Sequence, residues 1–134
     1  MAEPLAIPEL VEEWLRWATW VSTPENRGRA NDDLIGWSEL EWAVREHPEH
    51  AWATIMAVIS DPRAKPYLGH LAAGPIEDLL SYHGERFIGR VEVEARSNGE
   101  FAETLNGVWK STMSDEIWER LLAARERGAR GTAK

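Results

Sequence analysis

Eight tryptophans stand out in a chain of 134 residues that has only two phenylalanines and two tyrosines. Several of them recur at helical spacing, as Trp14 and Trp17 do, and each indole brings a large apolar area with a single N–H donor. A chain that uses tryptophan in this way builds a compact core from few, large side chains. We therefore expect most indoles inside a helical domain, with Trp20 and Trp42 as the candidates for surface positions.

The apolar residues of this chain recur every three or four positions, and Pro/Gly turns separate the periodic stretches. Pro8 suits the first position of a helix that ends near Ser22, and Pro48 begins another helix directly after His47. Alternation with a period of two is limited to residues 91–95. The sequence predicts an all-α fold, a compact bundle of about six to eight short helices with HEAT-like helical pairs in the middle.

Local capping residues predict where individual helices begin and end. The second helix is expected over 32–45, although Gly36 near its start costs about 1 kcal/mol relative to alanine. Gly74 followed by Pro75 favours the start of a further helix, and Gly84 is expected to end it. The expected caps of the last two helices are Ser97 and Ser114.

Length and composition fit one folded domain. The chain is within the usual size of a domain, and its 43% of hydrophobic residues is enough to form a core. Because cysteine is absent, disulfides and thiolate metal sites are excluded. No signal peptide or membrane span is predicted. We expect one helical domain over residues 1–127, a disordered C-terminal tail over 128–134, and a cytoplasmic location.

The chain is acidic overall, and its charges are unevenly distributed along the sequence. Twenty-three acidic residues against fifteen basic ones give a formal net charge of −8. Such a field repels nucleic-acid phosphates and anionic lipids and favours basic partners. From Arg120 onward, however, five bases accompany a single acid, Glu126, which suits the C-terminal end of a helix. The sequence therefore predicts a basic protein partner, no direct nucleic-acid binding and no membrane association, and it leaves the oligomeric state open.

The best candidate for a chemical site is the cluster of His47 and His50 with Glu46 and Glu49. Two histidines three residues apart can share a helix face, and the glutamates could add oxygen ligands to a metal. The metal-binding patterns HExxH and ExxH are absent, however, and so are the GxSxG motif and glycine-rich phosphate loops. We expect structural or solvent-exposed histidines, and therefore a protein that is not an enzyme and has no cofactor or metal.

Three stretches of the sequence match a recognisable pattern: AWATIMAVISD at 51–61, LAAGPIEDLLSYHGERFIGRVEVEAR at 71–96, and LNGVWKSTMSDEIWERLLAAR at 105–125. Together they resemble an uncharacterised bacterial family of short helical domains with the hallmarks AGPLEDLL, FIDRVExEA, GVW and MxDxVW. The departures from that pattern are Ile76, Gly89 and Ile117, where the family has Leu, Asp and Val. The resemblance covers most of the chain and implies HEAT-like helical proteins with no catalytic assignment.

The leading functional hypothesis is a non-enzymatic interaction protein of the immunity-protein, antitoxin or inhibitor type, by analogy with other small acidic proteins. It would bind a basic partner through an acidic helical face with an aromatic anchor. The expected contact residues are Glu39, Glu41, Trp42, Glu46 and Glu49. An alternative is a DNA mimic that inhibits a nuclease or a CRISPR-type effector. A third possibility is a small metal-dependent enzyme or ligand carrier that uses the histidine cluster.

Overall fold

A computed structural model describes residues 3–132, with side chains through Gly128. This part of the chain has seven α-helical segments and no β-strand. They are α1 (Ile7–Ser22), α2 (Gly36–Glu46), α3 (Pro48–Ser60), α4 (Leu68–Leu71), α5 (Glu77–Ser97), α6 (Gly99–Thr104) and α7 (Asp115–Thr132). The prediction of an all-α fold is confirmed, whereas the HEAT-like pairing stays a prediction.

The helices form two compact units, an N-terminal unit of residues 1–70 and a C-terminal unit of residues 71–134. The prediction of one domain over 1–127 followed by a tail stays a prediction. Helix α7 nevertheless continues to Thr132, so the described part of the predicted tail is helical. The last two residues of that tail lie outside the described residues. Among the helices described, none combines the length and the apolar character that a transmembrane span requires.

The core of the N-terminal unit lies where α1, α2 and α3 pack on one another. Residues of α1 four positions apart form one face of that helix, because 3.6 residues complete a turn. Aliphatic residues of α2 and α3 complete the core. Its fully buried side chains include Leu10, Trp14, Ala18, Leu40, Val44, Ile55 and Val58.

Helix α2 begins at Gly36, four residues later than the sequence predicts. Asn31 forms a turn ahead of it: its side-chain oxygen accepts from the Asp33 N–H at 3.1 Å, and its carbonyl accepts from the Leu34 N–H at 3.2 Å. A Cβ atom on Gly36 would lie 2.1 Å from the carbonyl oxygen of Glu13. Gly36 is therefore not merely a weak helix former, because its missing side chain lets α2 start against the backbone of α1.

In the C-terminal unit, the long helix α5 packs along α7 and against α6. Both phenylalanines of the chain are fully buried here, among leucine, isoleucine and valine side chains. The buried core includes Leu79, Leu80, Phe87, Ile88, Val91, Phe101, Leu105 and Leu121. A Cβ atom on Gly128 of α7 would lie 2.7 Å from the carbonyl oxygen of Ala95. This unit thus also places a glycine where two helices approach closely.

The predicted helix from Gly74 to Gly84 is wrong at both ends. A π-helical turn over Ala72–Ile76 leads from α4 directly into α5, so Gly74 caps nothing. Helix α5 then runs through Gly84 to Ser97, with a kink at His83 where φ is −135° and ψ is 34°. The helix continues because the apolar residues after the kink are buried against α7, and burial outweighs a local stop signal.

The caps of the last two helices were predicted with mixed success. Ser114 caps α7 as predicted, since its hydroxyl accepts from the Ile117 N–H at 3.2 Å. The cap of α6 is Asn98 and not Ser97: the Asn98 side-chain oxygen accepts from the Phe101 N–H at 3.1 Å. Ser97 instead is the last residue of α5, one position too early to reach the free N–H groups of α6.

The prediction that most tryptophans form the core is wrong. Of the eight indoles, only Trp14 is fully buried, whereas Trp37 is 46% and Trp109 is 73% exposed. Small and aliphatic side chains fill the helix contacts instead, and they leave the larger rings at the edges. The half-buried indoles are Trp17, Trp20, Trp42, Trp52 and Trp118. The two predicted surface positions, Trp20 and Trp42, are thus intermediate and not the most exposed.

Candidate functional site

The structure separates the five predicted contact residues. Glu39, Trp42 and Glu46 lie three and seven positions apart on one face of α2, but Glu41 lies on another face of that helix. Glu49 belongs to α3. Glu41 therefore points away from the other α2 residues of the predicted contact set, and the role of all five residues in partner binding stays a prediction.

Trp42 is also not a freely presented anchor. Its indole is half-buried, and the ring of His47 packs edge-on against it with centroids 4.8 Å apart. His47 stands between α2 and α3, so this contact holds the corner between the two helices. A ring that already fills a place in the fold has less area to offer to a partner.

The exposed apolar residues of the N-terminal unit lie instead at the start of α2. Ile35 is 40% exposed and Trp37 is 46% exposed. Both flank the buried Gly36, and since successive helical residues point about 100° apart, neither can share the contact that Gly36 makes with α1. The same glycine that brings α2 onto α1 therefore leaves two large apolar side chains facing solvent.

Carboxylates lie near each of these two residues along the chain, while Ile35 and Trp37 themselves, two positions apart, point to different sides of the start of α2. Asp32 and Asp33 are exposed just before Ile35, and Glu41 lies one helical turn after Trp37 on the same face. We call Asp32, Asp33, Ile35, Trp37 and Glu41 the acidic–aromatic surface. Only Glu41 was among the predicted contact residues. The sequence pattern that could have identified the other four residues is a glycine between two large apolar residues at a helix start.

A groove of about 490 Å³ lies beside this surface in the N-terminal unit. One wall is a face of α1, whose contributing residues recur every three or four positions. The residues of that wall are Glu12, Leu15, Arg16, Thr19, Trp20 and Thr23. The other wall consists of Asn31, Leu34 and Arg63. Leu34, which lines the groove, directly precedes Ile35 in the chain, and the residues of the acidic–aromatic surface do not themselves line the groove.

One end of the groove is closed by an ion network around Arg63. Its guanidinium donates to both oxygens of Glu12, one at 3.0 Å, and to both oxygens of Asp61, at 3.1 and 2.7 Å. These hydrogen bonds lower the pKa of both carboxyl groups and raise the pKa of Arg63. The three charges thus satisfy one another, and Arg63 links α1 to the segment after α3.

The histidines of the N-terminal unit make structural contacts. His50 donates from Nε2 to the carbonyl oxygen of Leu5, with the two atoms 2.7 Å apart, and so ties the N-terminal segment to α3. His70 lies 3.1 Å from the hydroxyl of Ser22 and packs edge-on against Trp17. In the part of the chain that is described, no three or more His, Cys, Asp or Glu side chains are grouped so that they could hold a metal ion.

The C-terminal unit has a smaller cavity, of about 360 Å³, at the kink of α5. Its walls include His83, Arg86, Met113 and Ser114. The Ser81 hydroxyl nearby is buried and has no hydrogen-bond partner among the described atoms. Ser81 is itself among the residues that line this cavity.

Several carboxylates of the C-terminal unit are bound by neighbouring donors. Arg120 of α7 donates to both oxygens of Glu92 on α5, at 2.9 and 2.6 Å, and these bonds lower the pKa of Glu92. A hydrogen bond from Lys110 similarly lowers the pKa of Asp115. Glu77 accepts from the backbone N–H of Trp109 at 3.0 Å. These carboxylates stabilise the fold of this unit.

Comparison with known proteins assigns the chain to a family but not to an activity. Residues 25–129 match the model of a family of unknown function, DUF6869. The chain belongs to this family. Comparison of the chain with curated proteins and with solved structures found no significant match. The expectation of a family of unknown function is therefore confirmed.

The range shared with DUF6869 includes only part of the candidate site. The acidic–aromatic surface, from Asp32 to Glu41, lies within the matched residues 25–129. Helix α1, which forms one wall of the groove and receives Gly36, lies before them. The matched range thus covers the exposed anchor residues, while the element that positions them precedes it.

Proposed function

We propose that the protein is a non-enzymatic interaction protein that binds a basic protein partner through the acidic–aromatic surface. The observation that supports this most directly is the exposure of Ile35 and Trp37 next to Asp32, Asp33 and Glu41. Tryptophan is enriched at interface hot spots, where an apolar anchor is surrounded by polar groups that exclude water.

The charge distribution supports a basic partner. Residues 31–50 include six acidic residues and a single base, Arg45. Opposite charge on a partner accelerates association and discriminates against other acidic proteins, while the exposed Trp37 indole would supply affinity when the partner buries it. We choose Trp37 and not Trp42 as the anchor, because its indole is the more exposed of the two, and Glu39, Trp42, Glu46 and Glu49 stay predicted contacts.

The type of protein proposed is an immunity protein, antitoxin or inhibitor of the bacterial cytoplasm. A protein that acts in this way would block its target by occupying the target's surface, and would need no catalytic group of its own. The acidic charge and the exposed anchor supply what such a role requires, namely attraction over a distance and an apolar contact at close range.

The test is capture of a partner from native lysate by the immobilised protein, at low and at high salt. We expect a basic protein to bind at low salt and to be released at high salt, because screening weakens attraction between exposed charges. Trp37→Ala should reduce capture at least tenfold, since a hot-spot side chain contributes 2 kcal/mol or more, which is about thirtyfold.

Trp109→Ala is the matched control, because this indole is the more exposed of the two and lies in the other unit. It should capture the partner as the unmodified protein does. An empty bait at low salt, or an equal loss with both variants, contradicts the proposal.

A further inference from the structure

We propose that the acidic–aromatic surface of one molecule binds a basic face of α5 in a second copy of the same chain. This face, which we call the α5 outer face, consists of the exposed positions of the helix after its kink. They are Glu85, Arg86, Gly89, Arg90, Val93, Arg96 and Ser97. The contact goes beyond the proposed function, because its occupant is the protein itself, although it uses the same anchor, Trp37.

The α5 outer face is one continuous side of the helix. Successive helical residues turn by about 100°, so its exposed positions together span about 140° of the circumference. Buried residues of the same segment, such as Phe87 and Val91, occupy the opposite side, and α5 packs on α7. The outer face is therefore turned away from the core of the C-terminal unit.

The apolar centre of the α5 outer face is Val93, which is 59% exposed. Its neighbours one helical turn before and after are Gly89 and Ser97, and both are small. A Cβ atom on Gly89 would meet nothing within 4 Å, so the surface beside Val93 is open. An exposed valine between two small residues leaves space for a large side chain from another molecule.

The charges on the α5 outer face are mostly positive, although the chain as a whole is acidic. Three arginines and one glutamate belong to it. Arg90 and Arg96 lie three residues before and after Val93, so each is a neighbour of this valine on the helix surface. A guanidinium has five N–H donors, so Arg96, which donates from Nε to the carbonyl oxygen of Glu92 at 3.3 Å, can also bind a carboxylate.

Two carboxylates at the border of this face are held within the C-terminal unit. Glu92 accepts two hydrogen bonds from Arg120, and Glu94 accepts one from the Asn98 side chain at 3.0 Å. Because Arg120 balances the charge of Glu92, this carboxylate does not cancel the charge of the arginines on the outer face. The exposed face therefore has an excess of basic residues.

The acidic–aromatic surface has the complementary arrangement. On α2, Trp37 is exposed, and Glu41 lies four residues later on the same side of the helix. On α5, Val93 has an arginine three residues away in either direction. Neighbours at these spacings are about 5–6 Å apart on both helices. A Trp37 indole packed on Val93 would therefore place Glu41 near an arginine of the second copy.

The charges favour a head-to-tail contact between two copies. Two α5 outer faces repel each other, and so do two acidic–aromatic surfaces, whereas one of each kind attracts. The chain has both surfaces, so every copy offers the one that another copy requires. Because the two surfaces differ, a single contact leaves one of each kind unoccupied, and further copies can add to form a ring or an open chain.

Sedimentation of the purified protein tests this inference, since no other protein is present. We expect the mean mass at low salt to exceed that of one chain and to rise with protein concentration. High salt should return it to the mass of one chain, because screening weakens the attraction between exposed charges.

Val93→Glu removes the apolar centre of the α5 outer face and places a carboxylate opposite Glu41. It should weaken self-association by about tenfold or more, because like charges then face each other. Its capture of a basic partner from lysate should be unchanged, since Val93 and the acidic–aromatic surface belong to different units. Thr112→Glu is the matched control: it adds the same charge at an exposed position outside the face and should self-associate normally. Circular dichroism checks that both variants are folded.

Mixing two variants distinguishes a head-to-tail contact from a symmetric one. Trp37→Ala lacks the anchor and Val93→Glu lacks the basic face, so each alone should sediment as one chain where the unmodified protein associates. In an equal mixture, Val93→Glu still provides Trp37, and Trp37→Ala still provides Val93. The mixture should therefore form a dimer that does not grow further.

A purified protein that sediments as one chain at every concentration overturns the inference and assigns the α5 outer face to a different occupant. Self-association that Val93→Glu leaves unchanged, or a mixture that stays monomeric, overturns it as well. Each of these outcomes leaves the proposed function intact, whereas an empty bait in the lysate assay contradicts the proposed function alone.

Discussion

The two units of the molecule enclose their aromatic side chains differently. The N-terminal unit has six of the eight tryptophans, and only Trp14 is fully buried. The C-terminal unit has both phenylalanines, and Phe87 and Phe101 are each fully buried. A phenyl ring has no polar atom to satisfy, whereas the enclosed indole of Trp14 has a buried Nε1 without a hydrogen-bond partner among the described atoms. Aromatic content alone therefore does not predict which rings are buried.

The units also differ in how they use charge. The N-terminal unit has twelve acidic and six basic residues, and the C-terminal unit has eleven and nine. In the C-terminal unit, Glu92 and Asp115 are bound by basic side chains. The N-terminal unit exposes Asp32 and Asp33 beside an apolar pair. Both units thus hold some carboxylates in ion pairs, as Glu12 and Asp61 are held by Arg63, and they differ in that the N-terminal unit has the larger excess of acidic over basic residues.

The largest expected effect tests the contrast in burial. Trp14→Ala should lower the free energy of unfolding by about 3–5 kcal/mol, because it removes a large buried side chain and leaves a cavity. Trp109→Ala, at a position 73% exposed, should change it by less than about 0.5 kcal/mol. Urea unfolding of both variants gives the comparison, and similar losses would contradict the assigned burial.

The next effect compares two helical glycines. Gly36→Ala should destabilise by about 1–3 kcal/mol, since the new Cβ atom would meet the Glu13 backbone and force the helices apart. Gly89→Ala in α5 should stabilise by about 0.5–1 kcal/mol, because its Cβ atom meets nothing within 4 Å. Thermal and urea unfolding measure both changes. A stabilising Gly36→Ala would refute the close contact between α1 and α2.

A smaller effect concerns helix caps. In the described residues α1, α2, α3 and α5 begin without a side-chain cap, whereas Asn98 and Ser114 of the C-terminal unit cap α6 and α7. Asn98→Ala should cost about 1 kcal/mol of stability, as the loss of a cap usually does. Ser97→Ala should cost clearly less. If Ser97→Ala proves the more harmful in urea unfolding, the assigned cap is wrong.

The smallest effect is the pH dependence of the Glu92–Arg120 pair. Because the pKa of folded Glu92 is below its ordinary value of 4.5, the pair stabilises the fold above that pH and loses this contribution as the pH falls. Glu92→Gln should therefore be less stable than the unmodified protein at pH 7, and the difference should shrink as the pH falls below 4.5. Urea unfolding at pH 7 and at a series of acidic pH values measures it. Glu103→Gln, at an exposed position of α6, is the control, and a difference that does not shrink in acid excludes the ion pair as its cause.

Much of the secondary structure could be predicted from local patterns. The apolar period of α1 and the prolines at the starts of α1 and α3 locate those helices within a residue. Gly84 was misread as a helix end because its signal is local, whereas the burial of Phe87 and Ile88 beyond it is tertiary. The start of α2 was missed for the same reason, since Gly36 is explained only by the backbone of α1 beside it.

The candidate site was harder to predict than the fold. Trp42 was chosen because it lies off the main apolar stripe of its helix, but the ring of His47 covers part of it. Trp37 was assigned to the core by its spacing and is exposed instead. Glu41 is the one residue common to the predicted contacts and the observed surface. Periodicity identifies which residues share a helix face, but not whether another element covers that face.

The sequence alone determined that this protein is helical, acidic and without cysteine chemistry, because helical period, proline positions and charge are properties of the chain itself. The tertiary structure decided which of the eight indoles are enclosed and where the exposed apolar pair lies. That decision depends on how closely α2 approaches α1 at Gly36, and the distance between two helices follows from the packing of all their side chains together.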